Sequence, residues 1–312
     1  MKCLCCGKEL NPSNASCWHA SCIKHFFGTA TIPQIEIDEE TLKKIAKQNI
    51  EDGITIPGVQ KKLSLHLSLD NSKPRLTLID YPSGFILKPQ VDDFTHLPEA
   101  EQLVMSMADI TGIHAVPHAL IKERDQFAYI TERIDRKIDN NKVEKIAMED
   151  FCQLSLRLTE DKYKGSYEKV AKIIDKYSCQ VGLDLSELFL RLVFCFATGN
   201  SDMHLKNFSL IKSIDGYVLS RAYDLLPVNL IMPEDKEEFA LTMNGKKMHI
   251  RKKDFFEFAS NIGIALTSAK KMINKVVSLK PKYIEMINDS YLFEDEKKRF
   301  VELINQRLDV LK

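Results

Sequence analysis

Asp202, Asn207 and Asp224 have the types and spacing to do chemistry together. Asp202 and Asn207 stand in the run Gly199-Asn200-Ser201-Asp202-Met203-His204-Leu205-Lys206-Asn207, and Asp224 follows Tyr223 beyond a turn at Asp215-Gly216. A carboxylate at Asp202 can orient or deprotonate a hydroxyl. The Asn207 side-chain carbonyl and the Asp224 carboxylate are hard oxygen donors of the kind Mg²⁺ takes. A base, a Mg²⁺ site and a fixed cation for phosphate are the parts that phosphoryl transfer from ATP requires. Lys88, at the end of Phe85-Ile86-Leu87-Lys88, supplies that cation, and Glu101, farther on, is its expected partner.

A second group lies at the N-terminus. Cys3-x2-Cys6 and His19-x2-Cys22 are two pairs of zinc-type ligands, with Cys17 open as a substitute for His19 and Cys5 beside a ligand. Four protein ligands leave no open position, so this site reads as a structural clamp. Five of the eight cysteines fall in the first 22 residues. That clustering fits one local metal site in a reducing compartment better than a chain-wide disulfide framework.

These residues need elements to position them. Residues 188–197 are apolar almost all round and predict a buried helix, with Asp184 and Glu187 spaced as a capping box at its start. A polar loop set directly on such a helix is a rigid platform. Residues 208–211 and 217–220 then read as a hairpin leading to Asp224. A loop giving Asp and Asn, a hairpin and a second Asp is the order of parts in protein kinases. Upstream, strict alternation over 63–69 predicts a half-buried strand, with further strands at 75–79, 85–88, near 117–123 and near 127–133. A short helix is expected over 40–50. Another starts at Pro98, with Leu103, Val104, Met107 and Ile110 on its apolar face and Gly112 as its cap. From about 148 onward the chain reads helical apart from the hairpin. The fold class is α+β, two-lobed and protein-kinase-like, with a small mainly β N-lobe and a larger helical C-lobe. The expected domains are a Cys-rich head at 1–28, an N-lobe at 29–136 and a C-lobe at 137–312.

Lysine plus arginine and aspartate plus glutamate both number 44 among 312 residues, so the chain lacks the overall field of a nucleic-acid binder. No apolar run is long enough to span a bilayer, and the N-terminus does not read as a signal peptide. The expected location is cytoplasmic, without direct DNA binding or membrane association.

The motifs resemble those of the HipA family. GNSDMHLKNF at 199–208 is similar to its catalytic loop, Gly58-Val59-Gln60-Lys61-Lys62 to its nucleotide loop, and Ile86-Leu87-Lys88-Pro89 to its strand lysine. Leu97-Pro98-Glu99-Ala100-Glu101 resembles its helix start, Glu132-Arg133-Ile134-Asp135-Arg136 its hinge, and Tyr223-Asp224-Leu225-Leu226-Pro227 its metal aspartate. The resemblance runs from about residue 52 to the end.

That resemblance implies roles. Asp202 would be the catalytic base, and Asn207 and Asp224 would hold Mg²⁺. ATP would meet Pro57, Gly58, Val59, Gln60, Lys61 and Lys62, the phosphate-binding Lys88, the hinge residues Glu132, Arg133 and Ile134, and His204, Leu205 and Lys206 beside Asn207 and Asp224. The implied activity is ATP-dependent phosphorylation of a protein serine or threonine, with aminoacyl-tRNA synthetases as known targets of such toxins. Thr55 would be the autophosphorylation site, and Pro57 removes the second hydroxyl that short HipT-type kinases often carry. The nucleotide loop begins near residue 58, which resembles the HipT form, whose missing subdomain is a separate HipS-like protein. The implied partners are a HipB-like helix-turn-helix antitoxin, a HipS-like small protein, or both. A kinase acting on a small molecule and an inactive kinase-fold binding module stay open as alternatives.

Overall fold

The computed structural model describes residues 1–11, 16–36, 62–68, 74–77, 84–123, 125–139 and 142–312. The helix expected over 40–50, Thr55 and the loop at 57–61 lie outside the described residues. The chain divides into two compact units, Met1–Gln102 with Pro117–Lys145, and Leu103–Val116 with Ile146–Lys312. The fold is mixed α+β and kinase-like. No helix among the described residues is long and apolar enough to cross a membrane.

The first unit is built on a six-stranded sheet. Its strands are β1 (Gln34–Glu36), β2 (Leu63–Ser68), β3 (Arg75–Thr77), β4 (Phe85–Pro89), β5 (His118–Glu123) and β6 (Gln126–Glu132), in the order β1-β3-β2-β4-β6-β5. All neighbours run antiparallel except β1 and β3. Alternation decides the faces. Leu63 and Leu65 of β2 are buried while Ser64 is exposed, and Phe85 and Leu87 of β4 are buried with them. Helix α1 (Ala20–Phe27) lays Ile23, Phe26 and Phe27 on this face, together with Trp18. Phe26 and Phe27 pack on Phe85 with ring centroids 5.8 and 5.4 Å away. Fully burying each such ring contributes roughly 1.5–3 kcal/mol. Strands β7 (Arg136–Asp139) and β8 (Lys142–Lys145) form a separate hairpin that the periodicity did not single out.

Helix α2 (Leu97–Thr111) begins where Pro98 predicts, and Gly112 follows it with φ 81°. Leu103, Val104 and Met107 are buried as expected, but Ile110 is 38% exposed. The neighbouring Thr111 is the buried residue of that turn. Its hydroxyl meets the Met107 carbonyl at 2.7 Å and the Tyr283 hydroxyl at 2.6 Å.

The second unit is mainly helical. It holds α3 (Phe151–Leu154), α4 (Tyr167–Tyr177), α5 (Val181–Thr198), α6 (Val228–Ile231), α7 (Lys252–Asn261), α8 (Leu266–Ser278), α9 (Lys280–Asn288) and α10 (Glu294–Leu311). The expected hairpin is β10 (Ser209–Lys212) with β11 (Tyr217–Leu219), and β9 (Met148–Asp150) adds a third strand beside β10. Residues 188–198 of α5 are all buried. The helix starts earlier than the capping-box spacing suggested, with Gln180 at its N-cap. Asp184 therefore lies inside α5. Its carboxylate accepts from the Ser178 hydroxyl (2.6 Å), the Gln180 amide (2.8 Å) and the Leu219 backbone N–H (2.7 Å). A buried strand N–H needs an acceptor, and Asp184 supplies it, clasping β11 to α5. Glu187 pairs with Arg191 at 2.9 Å.

Candidate active site and cysteine cluster

Helix α5 ends at Gly199, whose φ of 68° lets the chain leave in the left-handed conformation. A Cβ at this position would stand 2.6 Å from the Leu303 side chain, so glycine is also needed for close packing. The loop that follows is held from several sides. The Gly199 carbonyl accepts from Asn229 N–H, the Lys162 carbonyl accepts from Leu205 N–H, and the Tyr167 hydroxyl bonds the Met203 carbonyl. Ser201 donates to Asp235 at 2.8 Å. Asn200, Ser201, Met203, His204, Leu205 and Asn207 are buried, whereas the Asp202 side chain is 45% exposed.

Local bonds orient the reactive groups. The Asn207 side-chain N–H₂ donates to the Asp202 backbone carbonyl at 2.8 Å, which fixes the amide and leaves Oδ1 as its acceptor atom. The Tyr163 hydroxyl donates to Asp202 Oδ1 at 2.8 Å, and His204 Nε2 lies 4.0 Å from Asp202 Oδ2. Burial, and then the charges of Asp202, Asp224 and Asp235, push the Tyr163 phenol above its ordinary range. Asp224 has φ 61°, a conformation few non-glycine residues hold without support from their surroundings. That support is visible at Tyr223 and in the residues before it. The Tyr223 hydroxyl donates to the Lys206 carbonyl (3.0 Å) and meets Ser209 Oγ (2.6 Å). Ala222 exchanges backbone bonds with His114 and Val116, and Arg191 Nη2 holds the Ser220 carbonyl at 2.6 Å. Lys206 is paired with Asp150 at 2.7 Å.

In the first unit, Lys88 on β4 meets Glu101 on α2 at 2.5 Å, both side chains almost wholly buried. The Lys88 ammonium also stands 5.3 Å from the Tyr129 ring centroid. Residues 133–135 follow β6. Arg133 donates to both oxygens of Asp135, at 3.0 and 2.8 Å, and Arg136 adds a bond at 2.5 Å. Burial works against the Asp135 charge. The hydrogen bond and charge of Arg133, then Arg136, outweigh it and hold the carboxyl below its usual range. Glu132 ends β6, with its N–H on the Pro117 carbonyl; Ile134 lies in the turn after Arg133, and Lys62 stands exposed just before β2.

The cysteine cluster also belongs to the first unit. The ligand atoms of Cys3, Cys6, His19 and Cys22 all lie within 4.8 Å of one another. Tetrahedral Zn²⁺ with Zn–S near 2.3 Å separates its sulfurs by about 3.8 Å, a spacing this group can adopt. His19 Nδ1 lies 3.4 Å from Cys6 Sγ and 3.8 Å from Cys22 Sγ, while Nε2 meets the Glu9 carbonyl at 3.0 Å. A carbonyl on the outer nitrogen selects the tautomer whose inner lone pair faces the sulfurs, the usual support of a metal-bound histidine. The His19 N–H points at Cys3 Sγ from 3.4 Å. Burial raises the Cys3 thiol, but backbone N–H groups of Cys6, His19 and Cys5 outweigh it and bring the pKa down to about 7. The structure thus gathers His19 rather than its open substitute Cys17, and the donor set fits zinc.

Tyr163, Asp150 and Asp235 were not singled out from the sequence. Each acts across a long stretch of chain, and no short spacing marks it.

The model of HipA-like C-terminal domains matches residues 54–282. Y4mE of Sinorhizobium fredii, a kinase by designation, is 28% identical over 235 residues, covering 70% of this chain. A Haemophilus influenzae protein with the same designation is 22% identical over 286 residues, 83% of this chain. The chain spans 56% of the first relative's length and 82% of the second's. Among solved structures, the Shewanella oneidensis toxin–antitoxin complex of HipA, HipB and operator DNA matches with a TM-score of 0.68 and 20% identity, over 86% of this chain and 70% of that one. The proinflammatory kinase CtkA of Helicobacter pylori matches with a TM-score of 0.52 and 12% identity, over 80% of this chain and 95% of that one.

Proposed function

Since the chain belongs to the family of HipA-like C-terminal domains, we propose that it is a serine/threonine protein kinase that transfers the γ-phosphoryl group of ATP to a protein hydroxyl. The observation that carries this reading is Asp202, a half-exposed carboxylate on a loop whose other residues, Lys206 apart, are buried and tied down. The acceptor hydroxyl donates to the Asp202 carboxylate, which takes the proton as the oxygen attacks the γ-phosphorus. The bond to the bridging oxygen breaks, and ADP leaves. Lys88, held by Glu101, steadies the phosphates. Asn207 Oδ1 and Asp224 are the groups that would hold Mg²⁺, whose charge offsets that of the phosphates. The backbone of Glu132 and Ile134 receives adenine, braced by the Arg133–Asp135–Arg136 cluster, and the Gly58-Val59-Gln60-Lys61-Lys62 motif, with Pro57, is assigned to nucleotide binding by its sequence.

Cys3, Cys6, His19 and Cys22 are assigned one structural Zn²⁺. By analogy with the Shewanella complex, a HipB-like helix-turn-helix protein is the expected inhibitor. In the short HipT-like form, a separate HipS-like protein joins or replaces it. An aminoacyl-tRNA synthetase is the first target to try.

The test is incubation of the purified chain with γ-labelled ATP and a cell lysate. Label on serine or threonine of a protein, lost with Asp202→Ala by about a hundredfold or more, is expected. Label on a metabolite alone would replace the reading with a small-molecule kinase, and no label with an inactive binding module.

A further inference from the structure

We propose that Tyr163 is a positioning residue for Asp202, its phenol holding one carboxylate oxygen so that the other is presented to the acceptor hydroxyl. The inference rests on the kinase reading and deepens it. A carboxylate acting as base turns freely about its terminal bond unless something holds it, and each wrong orientation lowers the fraction of complexes ready to react. Here the Tyr163 hydroxyl donates to Oδ1 at 2.8 Å. Oδ2 is left on the side of His204 Nε2, 4.0 Å away.

The phenol is itself held in place. Its ring stands edge-on to the His204 ring, with centroids 5.1 Å apart and an interplanar angle of 77°. The Lys162 ammonium lies over the other part of the ring, 5.0 Å from the centroid. The backbone is fixed as well. Lys162, next to Tyr163, accepts from the N–H of Leu205 at 3.1 Å, in the loop that carries Asp202. Two residues beyond Tyr163, the Gly165 carbonyl accepts from the N–H and hydroxyl of Thr242, each at 3.3 Å. Tyr163 is thus tied to the Asp202 loop through its hydroxyl and its ring, and through the backbone of Lys162 beside it. Its raised pKa keeps the hydroxyl protonated, hence a donor, throughout the physiological range.

A tyrosine at 43% exposure could instead be a surface residue that packs on His204 and no more. Tyr163→Phe separates the two roles, because it keeps the ring and removes only the hydroxyl. The full chain, with dephosphorylated casein as acceptor, is assayed for ADP formation as wild type, Tyr163→Phe, Asp202→Ala and the double variant. The expected result for Tyr163→Phe is a fall in kcat of about tenfold, with KM for ATP and thermal midpoint near wild type. A residue that acts through Asp202 adds nothing once Asp202 is gone, so the double variant should match Asp202→Ala. Wild-type kcat in Tyr163→Phe, or a further fall in the double variant, overturns the proposal and leaves the kinase reading standing. Wild-type turnover no faster than Asp202→Ala overturns both.

Discussion

At Asp202 the surroundings decide more than the residue type. An aspartate near a helix end most often caps a turn, yet here its neighbours in the loop are buried while its own carboxylate stands out. Asp224 differs from it, as an acid in a left-handed conformation that follows the tied-down Ala222 and Tyr223. Asp224→Asn keeps the shape and removes the charge, so Mg-ATP affinity should fall by at least tenfold in titration calorimetry; unchanged Mg²⁺-dependent affinity would count against the role. Thr55 is the proposed site of self-modification. A phosphate there would add nearly two negative charges. Peptide mapping after ATP treatment should find phosphate on Thr55 in wild type and none in Asp202→Ala. A Thr55→Asp variant should bind ATP more weakly.

Among the elements, helix α1 and the turns before it behave as one clamp on the sheet. The Leu4 carbonyl accepts from the Leu120 N–H at 3.0 Å, and Trp18 Nε1 donates to the Leu120 carbonyl at 3.1 Å. The head thereby satisfies backbone groups of β5, the last strand in the sheet order, that would otherwise invite pairing with another chain. A Zn²⁺ held by Cys3, Cys6, His19 and Cys22 would staple these turns together. Metal analysis should find about one zinc per chain. Cys22→Ser, or strong chelation, should lower the thermal midpoint and promote aggregation through β5. Protein free of zinc but unchanged in stability would reject the clamp.

Across the whole molecule, two braced carboxylates, one in each unit, tie stability to acid pH. Asp135 is held down by Arg133 and Arg136. Asp254 is opposed by burial and held down by Lys246, 2.6 Å away, and the Arg251 N–H, 2.7 Å away. A carboxyl whose folded pKa is depressed contributes stability that is whole above its unfolded value of about 3.8. That contribution is lost as pH falls through the folded value. The thermal midpoint should therefore stay level from neutral pH down to about 5 and drop below about 4. Asp254→Asn should flatten part of the drop; an unchanged acid limb would show that other groups set it.

The sequence by itself determined the α+β order of elements, the strand faces and the buried helix under Asp202. Those features rest on local periodicity and on short motifs, which neighbouring residues carry among themselves. The grouping of Cys3, Cys6, His19 and Cys22 was legible for the same reason, although choosing His19 over Cys17 required the folded positions of their ligand atoms. Tertiary structure alone decided the rest. Asp184 looked like a helix cap and became the clasp of β11, because the Leu219 N–H, 35 residues away, needed a partner. Tyr163 lies 39 residues before Asp202 in a loop without a motif, and only the folding of that loop against the 199–207 turn brings its hydroxyl to the carboxylate. Hydrogen bonds between distant residues leave no period in a sequence, so such partners emerge only when the chain has packed.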